Sequence, residues 1–143
     1  MERQGVLLSQ ANRLDEAANV LGDVLQRRFR SIAAAELAFV RFRQEQLDEA
    51  ASLLRRAVKR DPKHFESHYY LGAVLFRQGD VKGAKRAYRE ADAVAPPNDS
   101  RALVGLCELQ AKSGDTKGAQ ATQALIASRF PREAPTLSAQ CQP

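Results

Sequence analysis

Phe65–Asn98 reads FESHYYLGAVLFRQGDVKGAKRAYREADAVAPPN, and this stretch decides the fold. Two helical patterns meet at Gln78-Gly79-Asp80, and Pro96-Pro97 stops the second, because proline lacks the amide proton a continuing helix needs. The first pattern carries Tyr69, Leu71-Gly72 and Leu75-Phe76. The second places Val81, Ala84, Tyr88, Ala91 and Val94 on one face of an amphipathic helix. A hairpin of two helices cannot bury its apolar face alone, so it requires neighbours of the same kind.

The chain supplies them. Leu14-Asp15-Glu16-Ala17-Ala18 returns as Leu47-Asp48-Glu49-Ala50-Ala51 after 33 residues. Ala50 and Pro62 return as Ala84 and Pro96 after 34 residues. Gly79-Asp80-Val81-Lys82-Gly83-Ala84 returns as Gly114-Asp115-Thr116-Lys117-Gly118-Ala119 after 35, as Pro96 returns at Pro131, which puts one inserted residue near Asn98-Asp99. The units are about 1–30, 31–64, 65–98 and 100–133, one domain over residues 1–133. Ser31 and Ser100 stand where helix caps belong. The first helix, within GVLLSQA, reads as shortened, and the last, with Gln120, Thr122 and Gln123, as the most polar. Residues 134–143 show no period and are expected to form a loose tail.

These spacings and residues resemble the tetratricopeptide repeat family. The third unit carries the pattern most fully, through Leu71-Gly72, Ala84, Tyr88, Ala91 and Pro96. The second matches through Leu37-Ala38, Ala50, Leu54, Ala57 and Pro62, the fourth through Leu106, Ala119 and Pro131. His68 takes the place usually held by Trp. The fourth unit departs from the pattern with Cys107 for the small Gly, Gln123 for an aromatic and Ile126 for a small Ala. The resemblance implies an all-α, right-handed α-solenoid of about four helix-turn-helix repeats. Its concave face is lined by the first helix of each pair and takes peptide or helical segments. Some family members clamp the terminal carboxylate of chaperone tails. The matching places here hold Ala35, Phe39, Tyr70, Arg101 and Gly105, of which only Arg101 has usable chemistry, so that ligand is disfavoured.

The 143 residues are 44% hydrophobic and 27% charged, an ordinary soluble composition. A net charge of +5 favours acidic partners. The abundance of Arg and Ala fits a GC-rich genome. Two cysteines, Cys107 on an apolar stripe and Cys141 in the tail, make no disulfide framework and read as free thiols in a reducing compartment. No run is apolar enough to span a membrane, and residues 1–12 show no signal peptide. The expected location is the cytoplasm.

Little of the sequence carries chemistry. His64 and His68 share a helical spacing, but the zinc-protease motif needs Glu directly after the first His and none stands there. No phosphate-binding loop or nucleophile elbow occurs. The expectation is a non-enzyme without metal or cofactor. A candidate peptide-binding surface comprises Phe39, Arg43, Tyr69, Tyr70, Ala73, Phe76, Arg77, Arg101, Glu108 and Lys112. Arg43, Arg77 and Lys112 recur at the repeat spacing as a basic ladder beside aromatics, the composition of binding hot spots. In the competing reading, Phe42 and Phe76 are inter-repeat core and the arginines are solvated helix ends. A second basic cluster, Arg55, Arg56, Lys59, Arg60, Lys63, Lys82, Lys85, Arg86 and Arg89, offers the alternative of nucleic-acid or anionic-surface binding, but without an aromatic stacking series. The sequence therefore predicts a protein–protein interaction module with no small-molecule substrate. Its expected partner is a peptide with acidic and apolar residues. The expected setting is a regulatory domain of a larger bacterial signalling or assembly protein, with self-association through the solenoid ends.

Overall fold

The computed structural model describes residues 14–27 and 30–141, with 23–27 as backbone only. Among the described residues there are eight helices and no strand. They are α1 (Leu14–Arg27), α2 (Ser31–Arg43), α3 (Leu47–Arg60), α4 (Phe65–Arg77), α5 (Val81–Val94), α6 (Arg101–Lys112), α7 (Thr116–Arg129) and α8 (Ala134–Ala139). Each helix packs on the next, and α2, α4 and α6 also touch in succession. This is the α-solenoid that the periodicity predicts. The short helix expected before Asn12 lies outside the described residues.

The turns inside the hairpins share one geometry. Glu45, Gly79 and Gly114 occupy the same step with φ of 61°, 84° and 84°. Glycine adopts this left-handed region without steric cost, whereas Glu45 adopts it at a cost of roughly 1–2 kcal/mol. One residue on, Asp80 and Asp115 cap α5 and α7 by accepting from the Gly83 and Gly118 amides, each at 3.0 Å. The equivalent Gln46 makes no such cap. The expected serine caps do not form. Ser31 is the first residue of α2 rather than its cap, and its hydroxyl donates to Ala57 O at 3.2 Å. Ser100 stands at the cap of α6 without a side-chain bond, while Asp99 Oδ1 accepts from the Arg101 amide at 3.1 Å.

Small residues let the helices meet. Ala38, Ala50, Ala57, Ala84 and Ala91 are completely buried, and Leu54, equally buried, shares one core cluster with Ala38, Ala50 and Ala84. The tightest fit is at Tyr88. A Cβ added to Gly72 would lie 2.7 Å from its ring, and one added to Gly105 would lie 2.8 Å from it. Tyr88 of α5 is thus wedged between the bare backbones of α4 and α6. Side-chain ties recur between units: Gln44 donates to Asp15 Oδ1 at 2.9 Å, and Gln78 to Asp48 Oδ1 at 2.8 Å.

The end of the chain differs from the sequence reading in two respects. Within the stretch read as a loose tail, Ala134–Ala139 forms α8, which packs on α7. Cys107 and Cys141 are joined by a disulfide with a Cα separation of 5.3 Å, so neither is a free thiol. The period of the repeat carries no sign of this pairing, because Cys141 lies beyond the last repeat. The ground for inferring a reducing compartment goes with the free thiols.

Two stability changes follow. Gly105→Ala forces its methyl into the Tyr88 ring and lowers unfolding stability by roughly 1–3 kcal/mol; urea denaturation should show most of that loss vanish in a Tyr88→Ala background, and an equal loss in both backgrounds would contradict the wedge. Glu45→Gly combined with Gln46→Asp installs the turn of the other two hairpins and raises stability by about 1 kcal/mol. The lost Glu45–Arg77 ion pair is exposed and weighs little against that gain.

Candidate functional site

The first helices of successive hairpins, α2, α4 and α6, build one continuous face. On it lies an aromatic strip. Phe39 stacks on Tyr70 at 5.4 Å between centroids, Tyr70 meets Tyr69 at 6.0 Å, and Tyr69 stacks on Phe65 at 5.7 Å. Tyr69 also meets Tyr88 at 5.9 Å, which links the strip to the wedge beneath it.

Two adjoining cavities open beside the strip. The first, about 170 Å³, is lined by Ala38, Phe39, Phe42, Tyr69, Tyr70, Ala73 and Val74. The second, about 380 Å³, is lined by Phe42, Ala73, Phe76, Arg77, Tyr88, Glu108 and Lys112. They share Phe42 and Ala73. One is apolar and sized for a single bulky side chain, and the other carries two cations and one carboxylate.

Of the ten candidate residues, Phe39, Tyr69, Tyr70, Ala73, Phe76, Arg77, Glu108 and Lys112 line these cavities. Arg43 is outside both, with its guanidinium carbon 5.9 Å from the Phe39 ring centre. Arg101 sits at the Phe65 end, over that ring at 4.6 Å and over Tyr69 at 5.4 Å. The ladder is not bare: Arg77 pairs with Glu45, and Lys112 pairs with Glu108 at 2.7 Å. Arg101 pairs with Asp99 at 2.7 Å and Glu66 at 3.5 Å. Sequence reasoning omitted Ala38, Phe42, Val74 and Tyr88 from the surface. Phe42 and Phe76 share a register one repeat apart, and that was the available signal. Each contributes an edge to the cavities while also packing between units.

Burial sets the protonation of the face. It pushes Tyr70 up to about 12, with the Glu36 and Glu66 carboxylates adding to the effect. Tyr69 is also raised by burial, partly opposed by Arg101, and Tyr88 is raised by burial next to Tyr69. Asp99 is held below its usual range by hydrogen bonds from Arg101. The phenols are therefore neutral donors at physiological pH.

His64 and His68 do not converge. His64 Nδ1 lies 2.6 Å from Ser67 Oγ, and its Nε2 lies 3.4 Å from Glu66 Oε2. His68 Nε2 donates to Pro62 O at 2.7 Å, and its Nδ1 faces Glu90 Oε2 at 3.5 Å. Serine, histidine and glutamate thus stand in the order of a hydrolytic relay, but Ser67 is 0% exposed and no substrate reaches its hydroxyl. No group of three or more metal-ligating side chains occurs among the described residues. In the outer basic cluster, Lys85 pairs with Asp115 at 3.1 Å and Arg86 with Glu90 at 3.1 Å. No helix among the described residues is long and apolar enough to cross a membrane.

Known proteins agree with this architecture. Residues 36–100 match the model of the tetratricopeptide repeat. A thermophilic tetratricopeptide protein of Thermus thermophilus is similar with a TM-score of 0.76 at 20% identity, covering 97% of this chain and 78% of that one. YrrB, a tetratricopeptide protein with an unusual peptide-binding site, gives 0.79 at 18% identity, over 94% and 69%. PilW, a type IV pilus biogenesis factor, gives 0.82 at 18% identity, over 95% and 64%. At these identities the likeness is one of fold. No curated protein matches the chain by sequence. Residues 36–100 carry the tetratricopeptide repeat, and the chain has the fold of the tetratricopeptide solenoids to which it is similar.

The raised phenol gives a pH signature. A group that binds its proton more tightly folded than unfolded contributes stability present below its unfolded value and lost as pH rises through the folded one. For Tyr70 that window runs from 10.0 to about 12. Unfolding stability should fall across it, and Tyr70→Phe should flatten part of the fall in urea titrations at pH 9 and pH 11.5. Identical slopes in both proteins would contradict the burial of this phenol.

Proposed function

We propose that the chain is a non-catalytic interaction module that holds a peptide or helical segment of a partner protein on its concave face, across α2, α4 and α6. The observation that carries this is the pair of adjoining cavities with Phe42 and Ala73 in common. The family match supports a protein–protein interaction role, and one similar structure, YrrB, is described as having a peptide-binding site. The partner segment places a bulky apolar side chain in the smaller cavity and an acidic residue in the larger one. There a carboxylate meets Arg77 and Lys112, competing with Glu45 and Glu108 for them. Exchanging one exposed ion pair for another is nearly neutral in energy, so these contacts set register and the apolar anchor sets affinity. The candidate residues Phe39, Tyr69, Tyr70, Ala73, Phe76, Arg77, Glu108 and Lys112 take these roles, with Arg43 and Arg101 at the margins. Such a module serves as the docking part of a larger bacterial signalling or assembly protein.

The test is selection of peptides from a random displayed library on the immobilised chain, followed by fluorescence anisotropy on the variants. Enriched peptides should carry an apolar residue beside Asp or Glu. Ala73→Arg, which fills the shared wall, should weaken binding by at least about tenfold. Arg55→Glu with Lys59→Glu on the outer face should leave binding unchanged. Unchanged binding to the Ala73→Arg protein would sink the assignment, and loss on the outer reversal would move the surface to the outer helices.

A further inference from the structure

We infer that the Cys107–Cys141 disulfide is a latch that fixes the C-terminal segment over the end of the solenoid, and that the protein takes its finished form in an oxidising compartment. The inference is independent of what the groove binds. It begins with how little else holds the segment. The six-residue α8 is far too short to be stable alone, and none of its residues is buried. Ala134 and Leu137 are only half-buried against the cluster of Leu103, Val104, Ile126 and Phe130. Cys141, by contrast, is 3% exposed and Cys107 is 0% exposed. The one deep anchor of the segment is therefore the residue bonded to α6. Cys107 stands where the third repeat has Gly72. At that place the repeat keeps its side chain small, and here the side chain is instead spent on a cross-link.

Buried disulfides of this kind persist where thiols are not continually reduced. Formation balances against a protein or small-molecule disulfide as oxidant. The two thiols lose two protons and two electrons, the Sγ–Sγ bond forms, and the oxidant's S–S bond becomes two thiols. Cleavage runs in reverse by attack of an external thiolate on one Sγ, with the other sulfur as leaving group. Both sulfurs are buried, so attack waits on opening of residues 134–141. After cleavage the Cys107 thiol has Ala119 O as an acceptor 3.7 Å away. The last hairpin then stays satisfied while the segment loses its tether. Reduction thus releases the cap without unfolding the repeats, and it uncovers the apolar end against which another solenoid could stack.

Two measurements on the full chain test this. Cells that make the protein naturally are acid-quenched and alkylated, and the protein is weighed. Both cysteines should be unmodified until a reductant is added, and two adducts before reduction would overturn the oxidising assignment. Trypsin cleavage after the exposed Arg132 is then timed for oxidised protein, reduced protein and Cys141→Ser. Reduced and variant proteins should be cut about tenfold faster, with the helical circular dichroism retained. Should the variant fail to fold, the reduced wild type still decides. Equal cleavage rates for oxidised and reduced wild type, or collapse of the helical signal on reduction, would overturn the latch.

Discussion

The wedge of Tyr88 between Gly72 and Gly105 is the constraint on which the rest of the structure depends. A phenol ring fits between two helices only where both lack a side chain. The fit sets the approach of α4 to α5 and of α5 to α6 at once. It therefore fixes how two successive hairpins sit on one another. The same ring lines the larger cavity and touches Tyr69. Packing between units and the shape of the candidate surface are two aspects of one contact.

Charge is arranged differently from packing. The net charge of +5 belongs to the whole chain, yet the cations along the groove are largely met by the chain's own carboxylates. Arg77, Arg101 and Lys112 each have a partner. An exposed pair of this kind contributes little to stability. It holds long side chains in place and keeps a cation available for exchange. The aromatic strip is also met from within, by Arg43 over Phe39 and Arg101 over Phe65 and Tyr69. On the proposed reading, selection of an apolar anchor would rest on the shape of the smaller cavity and the charges would set register.

The architecture was legible because it is periodic. Repeated Ala, Gly-Asp and Pro positions report local geometry, and local geometry alone makes hairpins. What escaped was aperiodic or long-range. Gly105 is not at the register position of Gly72, so nothing in the repeat marks it as a second wall for Tyr88. Glu45 occupies a left-handed turn step because its neighbours impose it, and no propensity announces that. Ser31 has the residue type of a cap, but the helix begins with it and its hydroxyl is turned to Ala57. The residues lining the two cavities were named in advance where register carried them, as for Phe39, Tyr70, Ala73 and Arg77. They were missed where a residue both packs between units and lines a cavity, as Phe42 and Tyr88 do. The departure of Cys107 from the repeat pattern was visible, but its partner lies past the last repeat, where no period exists to bring the two together.

The sulfur bridge also changes how the molecule answers to force. Tension applied to the chain beyond Cys141 does not pass along the backbone through α8 and α7 in turn. It crosses directly from Cys141 to Cys107 and enters α6, the first helix of the last hairpin, at its middle. The residues between the two cysteines, separated by 34 positions, form a slack loop shielded from the pull. A pulling partner would therefore engage the solenoid at α6, and α7 would keep its shape while the load was borne elsewhere.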